Sequence, residues 1–297
     1  MRSRSRGRHR AAAAALSAAF VVQAVLLGWA GTPARADVSA SLPGLSVTLA
    51  KAGMQAYGGQ AKQQYSTWIP AQPTTDMAVV TVHGGSWIYG DATKMYAFNR
   101  KLYAAGIPSF SIDYRSAFDA EWPAQRTDLL TALAQIRSQA PQYGIDPAKI
   151  ALIGSSAGGQ IALSVASSEG RKVSCAAVAY SPPTSLRYAL NLRRTGVTTE
   201  QKALSTGARW LTPTKAQVAS ATVPKSPSKA DTPALLFAGA DEWLSFRNST
   251  RYVQAYAGKG LDVRAVVLKG EQRHASAYAA KSASVWKQTL AFIDRHC

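Results

Sequence analysis

A serine framed by glycines is the strongest chemical signal in the chain. The segment Gly154-Ser155-Ser156-Ala157-Gly158-Gly159 follows a short apolar run and precedes a helical pattern. Glycines two positions to either side of Ser156 permit the tight strand-to-helix turn that exposes a serine hydroxyl. The spacing predicts Ser156 as a nucleophile. Ser155 is a poorer candidate because it does not stand between the two glycines at the required spacing.

A serine hydroxyl needs a general base to become a nucleophile near neutral pH. The chain has four histidines. His9 lies in the basic amino-terminal segment, His83 belongs to a glycine-rich turn, and His296 lies in the final predicted helix. His274 follows the last predicted strand, late in the chain, where the order serine, acid, histidine places a base. We therefore predict His274 as the base.

The acid that orients the base is expected after the apolar run Ala234 to Ala238. The next residues are Gly239-Ala240-Asp241-Glu242-Trp243. We predict Asp241, with Glu242 as the rival, because Asp241 lies nearer the strand end, where a short side chain would reach the histidine. Its role would be to hold the imidazole tautomer and to stabilise the imidazolium.

A second glycine turn, His83-Gly84-Gly85-Ser86-Trp87, follows the apolar run Met77 to Val82. Glycines let the backbone approach a substrate closely. The backbone N–H groups of Gly85, Ser86 and Ala157 are therefore predicted to form an oxyanion hole.

Short apolar runs alternate with amphipathic stretches, which predicts an α/β fold with a mostly parallel sheet covered on both faces. The predicted strands are 77–82, 107–114, 149–153, 173–180, 234–238 and 263–268, with outer antiparallel strands near Val47 and at 63–69. The predicted helices are 123–139, 157–168, 246–258 and 280–296. Residues 181–232 interrupt this pattern with several prolines and are predicted to form a small cap over the site, with a peripheral loop that does not contact substrate as the alternative.

These motifs resemble those of the α/β-hydrolase esterases related to hormone-sensitive lipase, and of the neighbouring feruloyl-esterase-like, acetyl-esterase-like and arylformamidase-like enzymes. The resemblance runs through HGGSWIYGD, IDYR, YGIDPAKIALIGSSAGG, AGADEW and the late His274. It implies one α/β-hydrolase domain over residues 37–297. It also implies hydrolysis of carboxylic esters through an acyl-enzyme, with no metal or organic cofactor.

The chain departs from the lipase-like members at Ser86, which stands where they usually carry a third glycine. It also lacks room for a large amino-terminal cap. The expected substrates are therefore short acyl or aromatic esters, as small molecules or linked to a polymer. Trp87 and Trp243, close in sequence to the predicted catalytic positions, are the expected substrate contacts. An amidase or peptidase with the same triad, and a non-catalytic binding protein on the same scaffold, remain alternatives.

Residues 1–36 read as a secretory signal peptide. Five arginines up to Arg10 precede an apolar run from Ala11 to Trp29, and Ala34-Arg35-Ala36 forms an A-x-A cleavage site. We predict cleavage after Ala36, secretion, and no stable membrane anchor afterwards; an uncleaved anchor is the alternative. The sequence leaves the oligomeric state open.

The formal net charge is +18, and the arginines of the first 36 residues account for six of these charges. No basic cluster with interleaved aromatic residues is present, so a nucleic-acid partner is not expected. The two cysteines, Cys175 and Cys297, would meet oxidising conditions after export. Cys175 lies near the start of its predicted strand and Cys297 ends the last predicted helix. Both are therefore expected at the sheet edge opposite the serine, where we predict a disulfide.

Overall fold

Eight strands form one sheet in the order β1-β2-β4-β3-β5-β6-β7-β8. The structure, a computed structural model, describes residues 53–185, 215–244 and 246–297, all within the unit from Lys51 to Cys297. Strands β3 to β8 are mutually parallel, whereas β1 and β2 add antiparallel strands at one edge. The strands are β1 (Met54–Ala56), β2 (Gln64–Trp68), β3 (Ala78–Val82), β4 (Ser109–Ile112), β5 (Ile150–Ser155), β6 (Ala176–Tyr180), β7 (Ala234–Gly239) and β8 (Val263–Leu268).

Helices cover both faces of this sheet. They are α1 (Tyr96–Ala104), α2 (Ala124–Gln139), α3 (Ala157–Ala166), α4 (Lys215–Ala221), α5 (Arg247–Ala255), α6 (Ser276–Ala279) and α7 (Ala283–His296). Short 3₁₀ turns lie at Ala92–Met95, Ala140–Tyr143 and Gly170–Lys172. The predicted α/β fold class is therefore confirmed.

The two-residue period of the strands divides the core into two layers. In β3, Val80 and Val82 pack with residues of α2 and α3, whereas Val79 packs with residues of α1 and α7. Successive strand side chains point to opposite faces of a sheet, so a run that is apolar at every position must be covered on both sides. This explains why the central strands are buried throughout.

Element boundaries differ from the sequence prediction where local capping intervenes. The strand expected from Val173 begins at Ala176, because the 3₁₀ turn Gly170–Lys172 precedes it. The last helix begins at Ala283, because the Ser282 hydroxyl caps it by accepting a hydrogen bond from the Val285 N–H. The strand expected near Val47, the signal peptide, and most of the predicted cap at 181–232 lie outside the described residues.

No helix within 53–185, 215–244 or 246–297 is long and apolar enough to cross a membrane.

Cys175 and Cys297 are joined by a disulfide, as the topology predicted, with their Cα atoms 5.2 Å apart. Cys175 directly precedes β6, and Cys297 directly follows α7. The bridge therefore ties the last helix to the amino-terminal edge of the sheet, opposite the strand ends that carry Ser156.

Reducing this disulfide is expected to lower the melting temperature while Ser156 still reacts with an organophosphonate at room temperature. The bridge closes a loop with a sequence separation of 122 residues. In the chain-entropy model such a loop contributes roughly 4 to 5 kcal/mol. Thermal unfolding with and without reductant measures the effect. Two alkylatable thiols in the denatured, non-reduced protein would contradict the bridge.

Candidate active site

The carboxyl ends of the parallel strands form one edge of the sheet, and the predicted reactive side chains follow them. Ser156 directly follows β5, Glu242 lies in the loop after β7, and His274 lies in the loop after β8. In open α/β sheets this edge is where ligands bind. The fold therefore brings together residues that are far apart in sequence.

Strained backbone conformations occur in the loops that follow several of the parallel strands. The non-glycine residues with positive φ among the described residues are Ser86, Trp87, Ser156, Ser181 and Ala275. They follow β3, β5, β6 and β8. Such conformations cost roughly 1 to 3 kcal/mol each and persist only where the surrounding structure enforces them.

The turn at Ser156 requires its glycines because the backbone passes very close by. A Cβ atom on Gly154 would lie 2.4 Å from the Gly158 carbonyl oxygen, and one on Gly158 would lie 2.2 Å from that of Val82. Ser156 has φ 51° and its N–H donates to the Tyr180 carbonyl over 2.8 Å. Ala157 then begins α3, whose N-terminal end favours developing negative charge.

His274 connects the serine to a carboxylate. Its Nε2 lies 2.8 Å from Ser156 Oγ, and its Nδ1 lies 2.6 Å from Glu242 Oε2. An ionised carboxylate only accepts hydrogen bonds, so Nδ1 carries the proton and donates it to Glu242. Nε2 then has a free lone pair that accepts from the Ser156 hydroxyl. This tautomer is the one that a general base for Ser156 needs.

The prediction of Asp241 as the orienting acid is corrected by the structure, which places its rival, Glu242, against His274. Asp241 is exposed, and its backbone N–H donates to the Glu271 carbonyl. The Glu242 side chain is fully buried and folds back to the strand end, where Oε1 accepts from the Gly239 N–H over 2.9 Å. The chain bends after β7, and only the longer glutamate side chain, one residue later, reaches back to the imidazole.

The loop after β3 lies against the serine. A Cβ atom on Gly84 would come within 3.1 Å of Ser156 Cβ. Gly85, with φ 131°, makes the turn, since a Cβ there would lie 1.8 Å from the Tyr89 carbonyl oxygen. The structure therefore places Gly85 and Ser86 in the loop next to Ser156, and Ala157 directly after it.

His83 holds the loop after β3 in place through a hydrogen bond and a ring contact. Its ring is buried, stacks on Tyr114 with ring centroids 4.2 Å apart, and donates from Nδ1 to the Gly84 carbonyl over 2.8 Å. Tyr114 in turn donates its hydroxyl to the His83 carbonyl. Burial lowers the pKa of His83 to about 4. His83 is therefore neutral near neutral pH and orders the backbone beside Ser156.

This buried histidine is expected to make stability depend on pH. In the unfolded chain it binds a proton below its ordinary pKa of about 6.5, whereas the folded protein excludes that proton until about pH 4. The free energy of unfolding should therefore fall as pH falls through this window, by about 3 kcal/mol in total.

Urea unfolding of wild type and His83→Asn at pH 7 and pH 4.5 measures this contribution. The asparagine amide can still donate to the Gly84 carbonyl but does not titrate, so the variant should lose less stability on acidification. An identical loss in both proteins would contradict the assignment.

The two tryptophans predicted as substrate contacts, Trp87 and Trp243, differ in solvent exposure. Trp243 is 46 % exposed, with its ring centroid 4.5 Å from that of His274. Trp87 is only 5 % exposed, and its indole N–H donates to Gln160 Oε1 over 3.0 Å. Trp87 packs in the core and also lines a cavity, so its role as a substrate contact stays a prediction.

That cavity, of about 280 Å³, lies beside the loop after β3. Tyr89 and Phe118 line it, and both are large, exposed aromatic side chains. With Trp243 they place three exposed aromatic side chains in the loops that follow β3, β4 and β7.

Ser181, which follows β6 and contacts Glu242, is not among the residues predicted from the sequence. A polar residue directly after a fully apolar strand is the signal that could have identified it. Among the described residues, no group of three or more His, Cys, Asp or Glu side chains is arranged to hold a metal ion.

Comparison with curated proteins identifies esterases with partial alignments. The chain is 36% identical over 110 residues to Esterase LipC of Mycobacterium tuberculosis, covering 35% of this chain and 27% of that protein. It is 36% identical over 93 residues to an arylesterase of Saccharolobus solfataricus, covering 31% and 30%. The chain therefore spans less than a third of the length of these relatives.

Solved structures share the fold at low sequence identity. A truncated carbohydrate esterase from gut microbiota superposes with a TM-score of 0.70 at 19% identity, covering 82% of this chain and 94% of that one. An acetyl ester-xyloside bifunctional hydrolase of Caldicellulosiruptor lactoaceticus gives 0.66 at 17% identity, covering 81% and 97%.

A family model described as the alpha/beta hydrolase fold matches residues 79–276. This range covers two thirds of the 297-residue chain and includes Ser156, Glu242 and His274. The chain belongs to the alpha/beta hydrolase fold family.

Proposed function

We propose that the protein is a carboxylic ester hydrolase that works through an acyl-enzyme on Ser156. The observation that carries the proposal is the hydrogen-bonded chain from Ser156 through His274 to Glu242. A hydroxyl, a correctly protonated imidazole and a buried carboxylate in this order activate a serine for acyl transfer. The esterase relatives, although aligned over only part of their length, agree with this reaction class.

In the first half-reaction, Ser156 Oγ attacks the ester carbonyl carbon while its proton passes to His274 Nε2. The carbonyl oxygen becomes an oxyanion, which the backbone N–H groups of Gly85, Ser86 and Ala157 stabilise. Removing one such donor typically costs about a hundred- to a thousandfold in rate. When the tetrahedral intermediate collapses, the bond to the alcohol oxygen breaks and His274 gives its proton to the departing alcohol.

In the second half-reaction, water attacks the acyl-enzyme. His274 takes a proton from the water and returns it to Ser156 Oγ as the carboxylic acid product leaves. The free enzyme is thereby regenerated with Ser156 and His274 in their starting protonation states. Glu242 stabilises the imidazolium in both halves. The reaction uses only protein groups and water.

The substrates we propose are short acyl or aromatic esters, carried by a small molecule or a polymer. Support comes from the exposed rings of Trp243, Tyr89 and Phe118 around the strand ends, which offer flat apolar contacts. The solved structures with this fold include a carbohydrate esterase and an acetyl ester-xyloside hydrolase, which favours an ester carried on a sugar.

A matched substrate panel tests the reaction and its range. Nitrophenyl acetate, butyrate and palmitate vary the acyl length, methyl ferulate and an acetylated xyloside vary the chemistry, and nitroacetanilide and an aryl formamide replace the ester oxygen by nitrogen. We expect the highest kcat/KM on a short acyl or feruloyl ester. Highest turnover on palmitate would contradict the size proposal, and an anilide cleaved faster than its ester would favour an amidase.

We also propose that the protein is secreted after cleavage behind Ala36. The basic start, apolar run and small-residue site support this, as does the disulfide, which persists in oxidising compartments. Amino-terminal sequencing of protein from the culture medium tests it. A mature chain beginning at Asp37 is expected, and retention of residues 1–36 in a membrane fraction would contradict it.

A further inference from the structure

We infer that Ser181 is a positioning residue that holds Glu242 and the backbone after His274 in register for catalysis. The inference rests on the proposed function. Ser181 directly follows β6, is 1 % exposed, and contacts both Glu242 and the residue that follows His274. Its hydroxyl is within hydrogen-bonding distance of three groups from two chain segments, the loop after β7 and the segment from Ala275 to Tyr278.

The donors and acceptors around this hydroxyl can be assigned. Ser181 Oγ lies 2.7 Å from Glu242 Oε1, 3.1 Å from the Ala275 backbone nitrogen and 3.1 Å from the Tyr278 hydroxyl. An ionised carboxylate only accepts and a backbone N–H only donates. The single hydroxyl proton of Ser181 therefore goes to Glu242, and its oxygen accepts from Ala275 and from Tyr278. Burial raises the pKa of Tyr278, which keeps its phenol protonated as a donor.

This arrangement fixes both ends of the interaction between Glu242 and His274. Glu242 Oε1 is held by Ser181 and by the Gly239 N–H, which leaves Oε2 facing His274 Nδ1. Ala275 is the residue after His274, so its bond to Ser181 restrains the base through the backbone. One buried hydroxyl thus ties the acid from the loop after β7 to the base from the loop after β8.

The backbone at Ser181 is strained, with φ 47°, and its N–H donates to the Phe237 carbonyl over 2.7 Å. Glycine adopts such a conformation at less cost. A Ser181→Gly variant therefore removes the hydroxyl while keeping the backbone path, and Ser181→Ala removes the same hydroxyl and keeps the Cβ. Agreement between the two variants separates the effect of the hydroxyl from that of the backbone.

The test measures kcat and KM on nitrophenyl acetate for both variants, alone and combined with Glu242→Ala. We expect kcat to fall about 10- to 100-fold, as for loss of a hydrogen bond to a charged group. KM should stay within about twofold, because Ser181 is buried. In the Glu242→Ala background the further loss should be below about threefold, because the acid that Ser181 holds is already gone and only its bond to the Ala275 N–H remains.

Ser174→Ala is the matched control. Ser174 is buried just before the same strand β6 and bonds to Thr232, at the edge away from Ser156. Its removal should lower the melting temperature and leave kcat unchanged. A merely structural role for Ser181 would produce the same pattern as this control.

Two results would overturn the inference: an unchanged kcat in both Ser181 variants, or an equal loss with and without Glu242. The rate of labelling by a fluorophosphonate, which reports activation of Ser156 without any ester, is measured in parallel. If wild type is labelled but hydrolyses no ester, the proposed function fails while the labelling rates still test Ser181.

Discussion

Ser156→Ala should abolish phosphonate labelling and lower ester turnover by at least about 10⁴-fold, because it removes the nucleophile that lies against His274. The Ser156 Oγ lies 2.8 Å from His274 Nε2. Removing one oxygen from a turn that already tolerates φ 51° should leave the fold intact. Circular dichroism and thermal unfolding check the fold, and initial rates on nitrophenyl acetate check the chemistry.

The neighbouring serine supplies the matched control. Ser155 is the last residue of β5, is buried, and pairs in register with Tyr180 of β6. Ser155→Ala should retain labelling and most of the turnover. If Ser155→Ala lost labelling while Ser156→Ala kept it, the nucleophile would be misassigned. Absence of both labelling and turnover in the wild type would instead favour a non-catalytic role for the scaffold.

Glu242→Gln should lower kcat by about 10³- to 10⁴-fold, whereas Asp241→Asn should stay within about twofold of wild type. The amide keeps the size of the glutamate side chain but removes the charge that stabilises the imidazolium. Asp241 is exposed, and the contact that anchors it to the Glu271 carbonyl comes from its backbone, which the substitution preserves.

Paired initial rates for the two variants on one short acyl ester decide between the adjacent carboxylates. Both substitutions remove a single negative charge within two consecutive residues, so long-range electrostatic effects are closely matched. A large loss in Asp241→Asn with near-normal Glu242→Gln would restore the assignment made from sequence.

The sequence by itself determined the residues that depend on local patterns. Ser156 stands between two glycines at the spacing of a tight strand-to-helix turn, a pattern that is complete within a few residues. His274 could be predicted as the base because the chain has only four histidines and this one lies after the last predicted strand. The apolar runs identified the parallel strands because the central ones are buried on both faces.

The order of strands and helices along the chain was sufficient to predict the disulfide. Alternation of strands and helices fixes which end of each element lies at which edge of the sheet, so Cys175 and Cys297 were predicted at the edge opposite Ser156. The bridge needs only that both residues reach that edge, and the Cα distance of 5.2 Å meets the geometry.

Tertiary structure alone decided the choices that depend on how a loop bends. Asp241 and Glu242 are adjacent, and the direction of the chain after β7 selects the longer side chain one residue later. Trp87 and Trp243 are the same residue type, but the Trp87 indole is buried and bonded to Gln160, whereas Trp243 is exposed beside His274.

The contacts of Ser181 could be identified only from the tertiary structure. Its partners are 61, 94 and 97 residues away in sequence, and no local pattern connects them. They meet because β6, β7 and β8 are adjacent and parallel, which delivers the loops after all three strands to one edge. Local sequence specifies which strands form and where they turn, whereas contacts between loops arise only once the strands are ordered side by side.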